Sequence, residues 1–161
     1  MPKRKKRKSK EDWTITDWEK WLWKKFSEFI RLRDCLKTTG MIWKGVCRTC
    51  GRTYRYEQLN AGHFIPGRTR AILFDERCVH IQCKRCNIII KEVWPPYYRF
   101  MQQEFGQDII EELVDLWGVD MKLEPEWFEK SFEYYTWAVD YMRRNQQLID
   151  SDTSKIATHS A

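Results

Sequence analysis

The stretch CKRCN at positions 83–87 repeats a device already used by CRTCG at 47–51. In each, two cysteines flank two residues, so one tight knuckle presents two thiolates to the same ion. Two such knuckles complete a tetrahedral Zn2+ site with Zn–S near ~2.3 Å. Gly51 follows the first pair, where a left-handed residue is useful. Disulfides and a thioredoxin-like redox pair are the other readings of these cysteines. A cytosolic compartment argues against the first, and the matched doubling against the second. We therefore expect Cys47, Cys50, Cys83 and Cys86 to hold a structural zinc that supplies folding energy to a small module. Cys35 and Cys78 are left over, and Cys35 follows an apolar helix face that would bury its thiol.

Between the two knuckles lies NAGHFIPGRTR, residues 60–70, with one of the chain's three histidines. His63 in such a loop reads as a catalytic base, a metal ligand or a polar loop residue. Four cysteines around a bare loop would make a binding module. Here the loop carries a histidine, and the second knuckle is followed at once by Asn87.

Working outward, charge is unevenly spread. Residues 1–10 carry +7, residues 11–43 are neutral, residues 44–91 carry +7 and residues 92–161 carry −8, for a net +6. The basic tail (Lys3, Arg4, Lys5, Lys6, Arg7, Lys8) and the basic cysteine-containing segment point to a polyanion partner, most simply DNA. A solubilising tail is the plainer reading of residues 1–10. The acidic C-terminal third reads as a solvated or partner-facing surface. No apolar run approaches the ~20 residues of a membrane span, and no apolar stretch follows the charged N-terminus as in a signal peptide. The expectation is a soluble, cytoplasmic protein without membrane contact.

The periodicity gives an α+β chain, mostly helical. Residues 1–11 form a disordered basic tail. Residues 12–40 form an amphipathic helix, with Thr16 and Glu19 as its capping box and Gly40 beyond its end. Residues 41–94 form the zinc module, with strands on either side of the 60–70 loop and a helix from Asn87 that Pro95-Pro96 stops. Residues 95–149 are helical, with a long last helix that has Pro125 in its first turn. Residues 150–161 form a frayed tail. The aromatic stripes (Trp18, Trp21, Phe26; Trp127, Phe128, Tyr134, Trp137) read first as core. Trp94, Tyr97 and Tyr98 flank the small module and have base stacking as a minor reading.

This arrangement resembles a His-Me finger (HNH) nuclease, a zinc-stabilised ββα-metal module. Gly62-His63-Phe64-Ile65-Pro66 matches the last four positions of its Asp-His-x-x-Pro pattern, and Asn87 matches the metal-binding residue that opens its helix, as in the recombination endonuclease VII type. The order FIRLRD, C-x-x-C-G, AGH, F-D-E-R-x-x-H-x-Q-C-x-x-C-N and FGQDIIEEL is similar to the phage NinG/Rap family of recombination nucleases. The resemblance runs from about 16 to 147, with its specific motifs in 29–115. It implies a metal-dependent endonuclease that cuts branched recombination intermediates, such as Holliday junctions and D-loops, inside a bacterial host cell. It implies His63 as general base and Asn87 as ligand of a catalytic Mg2+ or Mn2+.

Two positions depart from the pattern. Gly62 replaces a metal-binding Asp or His, and Cys78 replaces an Asn that orients the loop carrying the base. His80, three residues before Cys83 on the facing strand, is the best substitute ligand. Strand alternation places 78, 80 and 82 on one side. A core or hydrogen-bonding role is its other reading. Asn60 and Asp75 are lesser candidates. Arg68, Arg70, Arg77, Lys84 and Arg85 lie close in sequence to the site as phosphate clamps. The flanking helices offer a surface for a homodimer, which would supply the two active sites a symmetric cut needs, and recombination proteins are possible partners. The rival readings are a general HNH endonuclease acting on duplex DNA and a non-catalytic zinc-containing DNA-binding module.

Overall fold

A computed structural model describes residues 8–66, 69–89 and 94–158. The chain is α+β, with two small antiparallel sheets set among helices.

Helix α1, Ile15–Thr39, is the organising element. Its capping box is Thr14 with Asp17, two residues upstream of the expected Thr16 and Glu19. The Asp17 N–H donates to Thr14 Oγ1, and the Thr14 N–H donates back to Asp17 Oδ2 over 3.0 Å. Both pairs have the spacing of a capping box, and the earlier one adds Ile15 and Thr16 to the helix. Gly40 ends α1 at φ 70°, with its N–H donating to Leu36 O.

Beyond α1, Lys44–Val46 (β1) and Thr53–Arg55 (β2) form a hairpin whose turn holds Cys47 and Cys50. Leu59–His63 (β3) and Val79–Cys83 (β4) form a second hairpin. Asn60 faces Gln82, Gly62 faces His80 and His63 faces Val79. One helical turn, Arg70–Leu73 (α2), interrupts the connection. A π-helical segment, Arg85–Ile89, follows β4 at once. Helix α3, Trp94–Phe105, holds Pro95 and Pro96 in its first turn, so they open a helix, and the expected end of the Asn87 helix near 93 lies outside the described residues. A first-turn proline forfeits no intrahelical hydrogen bond. Helix α4 is Gln107–Asp115 and α5 is Pro125–Thr158. α5 runs past the expected break at 149, since no Gly or Pro follows Pro125 in the sequence.

The core forms where α1 meets α5 and the second hairpin. Trp18 packs on Phe128, and Trp21 stacks on Phe132 with ring centroids 3.9 Å apart. Only part of the expected aromatic core is buried. Trp18, Phe26 and Phe128 are inside, whereas Trp127, Tyr134 and Trp137 are exposed. On α5, Phe128, Tyr135 and Val139 make the stripe that faces inward, and the exposed rings lie off it. Part of the expected disordered tail is docked: Lys10 Nζ bonds Glu129 over 2.9 Å and lies over the Trp21 ring. No helix among the described residues is long and apolar enough to cross a membrane.

Candidate functional site

The four paired cysteines converge. Their sulfurs lie within 4.8 Å of one another, and Cys47, Cys83 and Cys86 are buried while Cys50 is exposed. Tetrahedral sulfurs around one zinc lie roughly 3.8 Å apart, given Zn–S near ~2.3 Å, so the cluster could hold a metal such as zinc. Backbone bonds build it. The Gly51 N–H, at φ 69°, closes the first knuckle onto Cys47 O, and the Arg48 N–H donates to Ile81 O, tying that knuckle to β4. The Cys83 N–H donates to Cys47 Sγ over 3.2 Å. Burial pushes the Cys47 and Cys86 thiols up. Burial also opposes ionisation of Cys83, but the Cys86 N–H and the Tyr54 hydroxyl outweigh it and hold that thiol at about 7.

His63 ends β3. Its Nε2 lies 3.0 Å from Leu73 O, and a carbonyl only accepts, so Nε2 carries the proton. In the neutral ring the lone pair is then on Nδ1. The imidazole also stacks on Trp23, with centroids 5.0 Å apart and planes 15° from parallel. Ring and tautomer are therefore both oriented by the fold.

Beside it, Gly62 explains itself. A Cβ there would collide with Gln82 Oε1 and lie 2.7 Å from Asn87 Oδ1. Two carboxamide oxygens occupy the space of the missing side chain. Gln82 is buried, and its Nε2 donates to Thr49 Oγ1 over 2.6 Å. The Tyr97 hydroxyl pins the strand by donating to Gly62 O over 2.8 Å. Tyr97 is thus a core residue, and the base-stacking reading does not apply to it. This cradle fits a small hydrated divalent cation in donor type, since such ions take oxygen ligands and keep several waters.

His80 is enclosed by protein partners, as its hydrogen-bonding reading expects. It is buried, with Nδ1 3.1 Å from Arg33 Nη2 and 3.3 Å from Asp34 Oδ2, and Nε2 3.0 Å from Arg77 O. Both ring nitrogens are engaged by protein groups. Asp34 in turn accepts from the Ile81 N–H over 2.9 Å. Burial opposes its ionisation, yet the His80 hydrogen bond and the Arg33 charge overcome that and hold its carboxyl at about 2.

The basic candidates divide. Arg70 is paired with Glu19 and Asp120, and Arg77 with Asp75 and Glu112. Lys84 and Arg85 are exposed beside the second knuckle. Lys8 pairs with Asp17. Lys3, Arg4, Lys5, Lys6, Arg7 and Arg68 lie outside the described residues. Asn60 is half-buried on the same strand face as Gly62.

Cys78 is fully buried and does support the loop after His63. The Phe64 N–H donates to Cys78 O over 2.7 Å, and the Ile65 and Phe64 N–H groups also face its thiol. Burial raises that thiol to about 11, so it is neutral near pH 7. Sequence reasoning missed Trp23, Thr49 and Gln82. Gln82 carried one signal, a polar residue inside an otherwise buried strand.

The family model described as the bacteriophage lambda NinG protein matches residues 2–120. Searches of curated proteins and of solved structures return no match. A match over most of the chain settles its kinship: this protein belongs to the bacteriophage lambda NinG family.

Proposed function

We propose that this protein is a metal-dependent DNA endonuclease of the His-Me finger type, which cuts branched recombination intermediates by phosphodiester hydrolysis. One observation carries the reading: His63, its tautomer fixed with the lone pair on Nδ1, adjoins a glycine covered by the Asn87 carboxamide oxygen. The antiparallel β3–β4 hairpin followed by a helical segment is consistent with a ββα module. Membership of the NinG family supports the phage setting.

In this mechanism His63 Nδ1 takes a proton from water as its oxygen attacks phosphorus, and the bond to the 3′ oxygen breaks. A neutral imidazole nitrogen with its lone pair available is the usual general base of such a step. Asn87 would hold a Mg2+ or Mn2+, which when bound supplies charge stabilisation on the phosphate and leaving oxygen. Trp23 and Leu73 O keep the ring in its productive orientation. The four cysteines leave a zinc no open position, so that site is structural. Lys84 and Arg85, with the basic tail, would grip flanking phosphates without reading sequence. A homodimer would place two such sites across a four-way junction.

The test is incubation of purified protein with a four-way junction and a linear duplex, in Mg2+, Mn2+ or EDTA. Preferential, metal-dependent cutting of the junction is expected. Equal cutting of both would mean a general duplex nuclease. Binding without cutting would mean a non-catalytic zinc module.

A further inference from the structure

We propose that Gln82 is the second protein ligand of the divalent ion, paired with Asn87 across Gly62. The inference rests on the endonuclease reading and assigns the ligand that Gly62 cannot provide.

The strand register makes the arrangement possible. Gly62 faces His80, so Gln82 is its diagonal neighbour on the same face of the hairpin. A glutamine is long enough to reach over that position only if nothing projects from it. Gly62 meets this condition, and a Cβ there would strike both Gln82 Oε1 and Asn87 Oδ1. The glycine is therefore the opening into which two ligand oxygens are brought, one from β4 and one from the helical segment after the second knuckle.

The amide is also oriented. Gln82 is 3% exposed, so its polar ends need partners inside the protein. Its Nε2 donates to Thr49 Oγ1, which turns Oε1 toward Gly62. Thr49 lies between Cys47 and Cys50, so the first knuckle acts through Thr49 as the positioning residue for this ligand. The Gln82–Thr49 hydrogen bond would thus link the cysteine knuckle to the ion's ligand.

Two neutral carboxamides leave the ion's charge to be balanced by water and substrate phosphate. Such a site suits Mg2+ or Mn2+, which bind through few protein ligands plus phosphate oxygens. It should hold the ion weakly without DNA, and one added negative charge should tighten it.

The experiment is Mn2+ titration of zinc-loaded, full-length protein, following the electron paramagnetic resonance signal of free Mn2+. Parent, Gln82→Ala, Gln82→Glu and Asn87→Ala are compared, with zinc content and melting temperature measured for each. Gln82→Ala should weaken Mn2+ binding roughly tenfold or more, as removal of a group that supports a metal site does. Gln82→Glu should bind Mn2+ more tightly than the parent, which a purely structural glutamine would not produce. A folded Gln82→Ala with parental Mn2+ affinity overturns the inference, as does a folded Gln82→Glu that binds no tighter. Junction cleavage by the parent separates the two proposals. A parent that binds Mn2+ through Gln82 but cuts nothing sinks the nuclease reading alone. A parent that cuts while Gln82→Ala binds Mn2+ unchanged sinks only the Gln82 assignment.

Discussion

The His63 imidazole lies nearly parallel to Trp23 at 5.0 Å, while its Nε2 donates to Leu73 O. Two elements far apart in sequence, α1 and α2, thus hold one ring. If His63 is the base, His63→Ala should abolish cleavage, a loss of roughly 100-fold or more, with zinc content and junction binding near the parent's. Trp23→Ala should keep binding but lower the turnover number, because the ring loses its stacking partner. Parental cleavage by His63→Ala would remove the histidine from the chemistry.

A second relationship governs acid stability. The Asp34 carboxyl is held at about 2, below its ordinary 3.8, by His80 and Arg33 against the cost of burial. A depressed carboxyl stabilises the fold above its unfolded pKa and loses that contribution as pH falls through the folded value. Nearly two pH units correspond to about 2 kcal/mol at neutral pH, lost between roughly pH 5 and pH 2. The difference in unfolding free energy between the parent and Asp34→Asn should shrink across that window, as followed by chemical denaturation. A constant difference would mean that the pair does not set acid stability.

His80 belongs to the same network, so His80→Ala should act on the fold and not on the ion. We expect a loss of roughly 1–3 kcal/mol from unpaired buried partners, with the Mn2+ dependence of cleavage unchanged once the variant is folded. A raised Mn2+ requirement in a folded variant would return His80 to the metal site.

Removal of the structural metal should unfold the module. Cys83→Ser should lose bound zinc by elemental analysis and lower the melting temperature sharply, because metal binding and folding are one equilibrium in such sites. Full zinc occupancy in that variant would show that the cluster binds metal differently or not at all.

Deleting residues 2–7 should spare the fold, since the docked Lys8 and Lys10 remain. The logarithmic salt slope of DNA binding should fall by up to about 0.9 for each phosphate that the tail no longer neutralises. An unchanged slope would take the tail out of the interface.

Much of the cysteine cluster and the helical framework was legible in the sequence. The two C-x-x-C knuckles and Gly40 after α1 act through local spacing and backbone freedom, which a linear reading captures. The Thr14 cap was missed because Thr16–Glu19 meets the same local rule, so spacing alone does not choose between them.

What the sequence determined by itself was residue chemistry at short range: four cysteines in two knuckles, a histidine between them, an asparagine after the second and a basic middle segment. Which of those side chains share a space was decided only by tertiary structure. His80 alternated correctly for a ligand, yet α1 brings Arg33 and Asp34 to its ring, from 46 to 47 residues away, and occupies it. Gly62 read as a lost ligand, yet strand register and the Thr49 hydroxyl bring Gln82 over it. Spacing along a strand fixes which way a side chain points; only the packing of distant elements fixes what it meets there.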